Sequence, residues 1–308
     1  MARFLRTVFG VGEDHRMFQP DVLRWKCFTP HPFWEGPRGY ALRYKGQIAA
    51  FGCVVPCRFL AGSETVLSCN VIDWAASRHV PGVGVILYRH IQSLTDTMIN
   101  IGGTAEARRV LPAAGFTART ELHHYKRVLR PWRRFRQSGQ PDWKAPLRLA
   151  RDYRELLRPA SAAPPECAAA QPVTCARTPE LIDYLLACPA AQMESHTLEH
   201  GSFLLSRVGH ECRIADLWLQ PARPQDWAAA YSSAVAAAAV NAHTVQVTAA
   251  ASHQPQIEAL RQAGFRHTHS EPVFVHDPDR RLGDPSGLAL SFLENDGFYW
   301  PGSAAHPG

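Results

Sequence analysis

One pattern occurs twice in this chain, and the duplication limits the possible folds more than any single motif does. Ala105-Glu-Ala-Arg-Arg-Val-Leu-Pro-Ala-Ala-Gly-Phe116 is answered by Pro255-Gln-Ile-Glu-Ala-Leu-Arg-Gln-Ala-Gly-Phe265, with the two Phe residues 149 positions apart. A period that long describes a domain, not a solenoid unit. Upstream of each copy the same order recurs. Tyr40 to Val55 reads as a strand, a Lys45-Gly46 turn and a second strand, and Ser202 to Leu219 repeats that hairpin around Val208-Gly209. Helix-like segments follow at Gly84 to Leu94 and Gln225 to Ala242, then short apolar strands at Thr97 to Gly102 and Thr244 to Ala249. Each half ends in another strand, Glu121 to Val128 or Pro272 to His276.

The stretch Pro159 to Pro172, rich in Pro and Ala, is a poor core former and separates the halves. The expected organisation is therefore a first domain over 1–135, a basic then Pro/Ala-rich linker over 136–172, a second domain over 173–300 and a loose tail over 301–308. A chain of 308 residues can hold two such cores, and 46% apolar with 19% charged residues is a globular composition. With no apolar run near the ~20 residues of a membrane span and no leader-like start, a cytoplasmic protein is expected.

The eight cysteines are scattered, and Cys53-Val-Val-Pro-Cys57 has neither zinc-knuckle nor thioredoxin spacing, so they read as buried thiols and no metal is implied. His196-Thr-Leu-Glu-His200 has the i, i+4 histidines of a zinc helix but misplaces the Glu, and Gly201 follows at once. The net charge of +6 is concentrated in Lys126 to Arg136. That segment reads as a solvated amphipathic linker, or as a contact with an anionic surface or RNA. Trp25, Phe28, Phe33 and Trp34 form an aromatic entry segment that either covers a site or plugs the core.

In the first half a glycine turn, Arg78-His-Val-Pro-Gly-Val-Gly84, joins the strand Val66 to Ile72 to the helix that follows. A strand, a Gly-x-Gly turn and a helix N-terminus together present free backbone N–H groups and a positive dipole end to an anion.

The order strand, strand, strand, helix, strand, helix ending in Ala-Gly-Phe, strand resembles the GNAT acyltransferase superfamily. The resemblance covers roughly residues 20 to 130 and 175 to 277, as two tandem GNAT-like domains of α/β class, each a mixed, mostly antiparallel sheet flanked by helices. It implies that the turn binds the pyrophosphate of acetyl-CoA or another acyl-CoA. The residues implied are Ile72 and Trp74 on the strand, Arg78, His79, Val80, Pro81, Gly82, Val83, Gly84 and Val85 in the turn and helix start, and Thr104 before the next helix. It also implies a β-bulge that splays this strand from the next to open an acyl slot. His79 stands where the family has Gln or Arg, and neither half keeps the Tyr that protonates the thiolate: Thr104, Ala107 and Leu111 occupy that motif in the first half. The second half has prolines where the phosphate turn would be, and reads as a degenerate copy.

Asp73 is the acid/base candidate by position, with a turn-capping carboxylate as the alternative. His123 and Tyr125 share one face of the strand after Ala-Gly-Phe and are further candidates for the cleft. The expected activity is transfer of an acyl group from acyl-CoA to an amine on a small molecule or glycan. Two rivals stay open: a Fem-like ligase using aminoacyl-tRNA, and a non-catalytic binding module that has lost its chemistry.

Overall fold

The computed structural model describes residues 1–137, 145–156, 172–220, 224–284 and 287–300. The start of the linker helix region and the Pro/Ala-rich stretch, the turn around Arg223 and the tail over 301–308 lie outside them.

Two helices, α1 (Ala2–Phe9) and α2 (Pro20–Phe28), lead into three antiparallel strands, β1 (Gly39–Tyr44), β2 (Gln47–Ala61) and β3 (Glu64–Ala76). Then come α3 (Val83–Gln92), β4 (Thr97–Ile101), the short α4 (Ala105–Val110) and the long β5 (Thr117–Val128). The basic segment forms α5 (Pro131–Gln137), which packs with α6 (Ala145–Leu156). Several of its arginines are engaged inside the molecule: Arg134 pairs with Asp152 at 2.9 Å, and Arg130 donates to the carbonyl of Ala239 at 3.0 Å. The second half runs β6 (Val173–Cys175), α7 (Pro179–Leu186), β7 (Gln192–Leu198), β8 (Gly201–Val208), β9 (Glu211–Leu219), α8 (Pro224–Val240), β10 (Gln246–Ala251), α9 (Gln254–Gln262), β11 (Arg266–His276) and β12 (Leu288–Ala289). The histidines of 196–200 therefore lie on a strand and its turn, with His196 stacked on Phe203 at 4.7 Å. No helix among the described residues is long and apolar enough to cross a membrane.

The strands join into one sheet of order β12-β6-β2-β3-β4-β11-β5-β10-β9-β8-β7, with β1 beside β2. Each half gives its last long strand to the other: β11 pairs with β4, and β5 pairs with β10. Leu122 on β5 lies opposite Glu271 on β11, 149 positions later, so the pseudo-twofold axis of the duplication passes between these two residues. Short β6 adds to the outer edge of β2, tying the start of the second half to the first.

Alternation sorts the core. On one face α3 covers Val54, Val71 and Met98, while α8 and α9 cover Val247 and Ala249. On the other face α1, α2 and α7 enclose the C-terminal segment, whose Phe298 and Tyr299 pack edge-on to Trp25. Trp25 and Phe33 are core residues, whereas Phe28 is exposed. The seven cysteines of the described residues are all buried and free.

Candidate active site

Parallel strands β3 and β4 pair only over Ser68–Thr97, Cys69–Met98 and Asn70–Ile99, after which they part. The cause lies on the other edge of β3. Between Ile72, opposite Cys53, and Ala75, opposite Phe51, β3 carries one residue more than β2. Asp73 takes up that extra length with φ +52°, a left-handed conformation that bends the strand as a bulge does. From Val71 onward the edge of β3 toward β4 has no ladder partner, which leaves a slot walled by peptide groups.

Two asparagines stand at the crotch of this slot. Asn70 closes the ladder on β3 and donates to the carbonyl of Glu294 at 2.9 Å, while Asn100, the first residue past the ladder on β4, donates to the Tyr88 hydroxyl at 3.4 Å. Both are buried, and the side-chain carbonyl oxygen of each has no protein partner. Buried acceptors are nearly always satisfied, so these two orphans, Asn70 on the C-terminal-segment face and Asn100 on the α3 face of the fork, are candidates to accept from ligand donors such as amide N–H groups.

The glycine turn sits at the far end of the slot. Gly82, at φ +78°, precedes α3 with open space around it, and Arg78, His79, Pro81 and Gly82 are exposed. The N–H groups of Gly82, Gly84 and Val85 donate to nothing among the described residues. Gly84 serves packing instead, since a Cβ there would lie 2.9 Å from that of Ala76 and its absence lets α3 close on β3. Trp74 donates to the Gly84 carbonyl at 3.1 Å and lies against Tyr88 at 4.6 Å, while Ile72 and Val83 are buried in the two cores and Val80 and Val85 are half-buried. Thr104 is the N-cap of α4, accepting from the Ala107 N–H at 3.2 Å. Arg78 lies within electrostatic reach of Glu106 on that helix, so turn and α4 flank the slot.

Asp73 is buried and accepts from the ammonium of Lys26 on α2, both side chains being 1% exposed. Burial opposes the Lys26 charge, but Asp73 and Cys53 beside it hold the ammonium above its ordinary pKa. Asp73 is thus engaged as the anchor of the bulge. A carboxyl that sequence reasoning missed stands nearby: Asp296, in the C-terminal segment, within electrostatic reach of both Asp73 and Lys26. Burial, and then the neighbouring Asp73 charge, push its acid up to about 7. Ser291 and Glu294 lock this segment through a reciprocal cap, Glu294 Oε2 accepting from the Ser291 N–H at 2.6 Å.

The other two predicted side chains lie elsewhere. Tyr125 is buried in the second-half core, where the strand exchange carries β5. His123 lines an open cleft of about 1220 Å³ formed with Ser252, His253 and the 279–284 loop, a cleft lined by neither Asp73 nor the glycine turn. Its Nδ1 is 2.7 Å from Ser270 Oγ, and burial lowers its pKa.

The second half repeats the bulge. β9 and β10 pair in parallel from Glu211–Gln246 to Ile214–Ala249, and β9 carries an extra residue beside Asp216. Asp216 accepts from the buried Arg177, which also donates to Glu294 at 2.7 Å. The Ser252 hydroxyl donates to the Leu288 carbonyl and accepts from the Leu290 N–H at 2.8 Å, so the C-terminal segment is tied to the end of β10.

Neither a family model nor a curated protein sequence matches the chain. Solved structures do. A GCN5-related N-acetyltransferase from Anabaena variabilis superposes with TM-score 0.53 at 9% identity, over 89% of this chain and 68% of that one. Saccharomyces cerevisiae N-myristoyltransferase with bound myristoyl-CoA gives 0.53 at 12% identity, over 84% and 72%. A probable N-acyltransferase from Enterococcus faecalis gives 0.50 at 8%, over 92% and 71%. The parted strands, the bulge, the glycine turn before α3 and these superpositions agree: the chain has the GNAT fold, that of the N-acetyltransferases and of N-myristoyltransferase.

Proposed function

We propose that the chain is an acyl-CoA-dependent N-acyltransferase whose donor site is in the first half. The observation that carries this reading is the slot between β3 and β4, with the unpartnered oxygens of Asn70 and Asn100 at its crotch and the free N–H groups of Gly82, Gly84 and Val85 at its far end. The turn suits a pyrophosphate, with Arg78 and His79 beside it, and the slot suits the amides of a pantetheine arm. Acyl-CoA supplies an activated thioester carbonyl when bound. Asp296 takes the proton of the attacking amine, since an acid near 7 is matched to proton abstraction at neutral pH. Tyr88 stands in for the missing tyrosine of the family motif: its hydroxyl reaches the crotch beside Asn100, and burial keeps it protonated and able to donate to the leaving thiolate.

Phe298 and Tyr299 fill the space on the C-terminal side of the sheet, so acetyl is the group that fits with least displacement. The acceptor is proposed as an amine on a small molecule or glycan. Thermal unfolding with saturating CoA, acetyl-CoA, a long-chain acyl-CoA or mixed tRNA tests the assignment. A ligand present at a hundred times its Kd stabilises by about 2.7 kcal/mol. Stabilisation by the CoA compounds supports the proposal, and stabilisation by tRNA alone overturns it in favour of aminoacyl transfer.

A further inference from the structure

The two exchanged strands carry four histidines, His123, His124, His267 and His269, and their pairing divides them between two faces. His124 lies opposite His269 and Leu122 opposite Glu271, while His123 lies opposite Ser270 and Tyr125 opposite His267. The register shift between His267 and His269 inserts Thr268, and that extra residue sends the two β11 histidines to opposite faces. On the face toward the C-terminal segment, His124 Nε2 is 3.1 Å from Glu271 Oε2, and the His124 and His269 rings stack at 4.2 Å. One ligating atom from each of His124, His269 and Glu271 lies within 4.8 Å of the other two.

A second observation concerns the proton on His269. The Thr268 hydroxyl donates to the His124 carbonyl at 3.0 Å, so its oxygen is left to accept from His269 Nδ1, 3.1 Å away. With the proton fixed on Nδ1, Nε2 keeps its lone pair, which is the tautomer a metal requires.

We propose that His124, His269 and Glu271 bind one divalent transition-metal cation of the zinc type, with Thr268 as the positioning residue for His269. Two imidazoles and a carboxylate form a borderline donor set that suits zinc over magnesium or calcium, and three protein ligands leave a fourth position for water. The stacked rings set the two histidine edges side by side, with the His269 ring open to solvent. One ligand comes from β5 and two from β11, so the ion ties together the strands that the halves exchange. The site stands whether or not the chain transfers acyl groups.

The test is a titration of the full chain, stripped by a chelator, with zinc chloride in a calorimeter, and with Co²⁺ followed by visible absorption. The expected result is one ion per chain and the ligand-field bands of a four-coordinate cobalt site. His269→Ala and Glu271→Gln each weaken zinc by on the order of tenfold or more, and Thr268→Val by roughly 10- to 100-fold. His123→Ala and His267→Ala, on the opposite face, leave the affinity unchanged. Melting of the metal-free variants checks that they fold, and the wild-type cobalt spectrum gives a reading that needs no variant. Absence of binding at millimolar zinc overturns the proposal, as does an affinity that survives His269→Ala or falls equally with His123→Ala.

Discussion

The ammonium of Lys26 on α2 donates to the carboxylate of Asp73 at the left-handed residue of the β3 bulge, both groups shut away from solvent. This ion pair holds the conformation that parts β3 from β4. Breaking a buried pair from one side leaves an uncompensated charge and costs about 3–5 kcal/mol. Lys26→Met and Asp73→Leu are each expected to lose that much in urea unfolding. The double variant should recover most of it, and purely additive losses would show that the two groups do not act as a pair.

Asp296 is predicted to set the acidic side of the activity profile. With its acid at about 7, the carboxylate is protonated and idle below that pH and able to accept a proton above it. Activity should therefore rise through pH 7, and Asp296→Asn should lower kcat by about a hundredfold or more while removing that limb. A profile unchanged in the Asn variant would assign the base elsewhere.

Tyr88→Phe keeps the ring against Trp74 and Phe116 but removes the hydroxyl bonded to Asn100. If Tyr88 protonates the thiolate, kcat falls by about a hundredfold with the CoA affinity nearly intact. A loss confined to affinity would make Tyr88 a packing residue.

His31 should make the fold sensitive to acid. Burial, and then Arg38 and Arg58, push its pKa down from 6.5 to about 3, and its Nδ1 accepts from the Phe33 N–H at 3.2 Å. Between those two values the unfolded chain binds a proton that the folded chain refuses. This contribution to stability is therefore complete above pH 6.5 and is lost as the pH falls, at up to about 1.4 kcal/mol per pH unit. His31→Gln is expected to flatten that part of the curve, measured by urea unfolding from pH 7 to pH 4; an unchanged slope would contradict it.

The sequence made local features legible and long-range ones not. The hairpins, the Gly82 turn and the helix that ends in Ala-Gly-Phe follow from neighbouring residues, so strand periodicity, glycines and the internal repeat sufficed to locate them. The exchange of β5 and β11 depends on which strand edges meet, and nothing in Glu121 to Val128 announces that its partner is β10. For the same reason Tyr125, which alternation placed near the cleft, lies in the second-half core. Asp73 was found by its place at the turn, but Lys26, 47 positions earlier, and Asp296, more than 200 positions later, reach it only through folding. Asp296-Gly297 within an aromatic segment was the one local hint of the latter. The histidines opposite Glu271 were equally hidden, because the inserted Thr268 changes which of them share a face.

Donor binding depends most directly on the glycine turn as an anion site, and calorimetry with CoA on the wild type and Gly82→Glu measures it. Gly82 has φ +78° with nothing near its Cβ position, so glutamate would project bulk and negative charge into the turn while leaving the α3–β3 contact at Gly84 in place. Micromolar binding by the wild type, lost in a Gly82→Glu variant that still melts cooperatively, is the predicted result. No binding of CoA or acetyl-CoA to the wild type at millimolar concentration, or equal binding by both proteins, would contradict it.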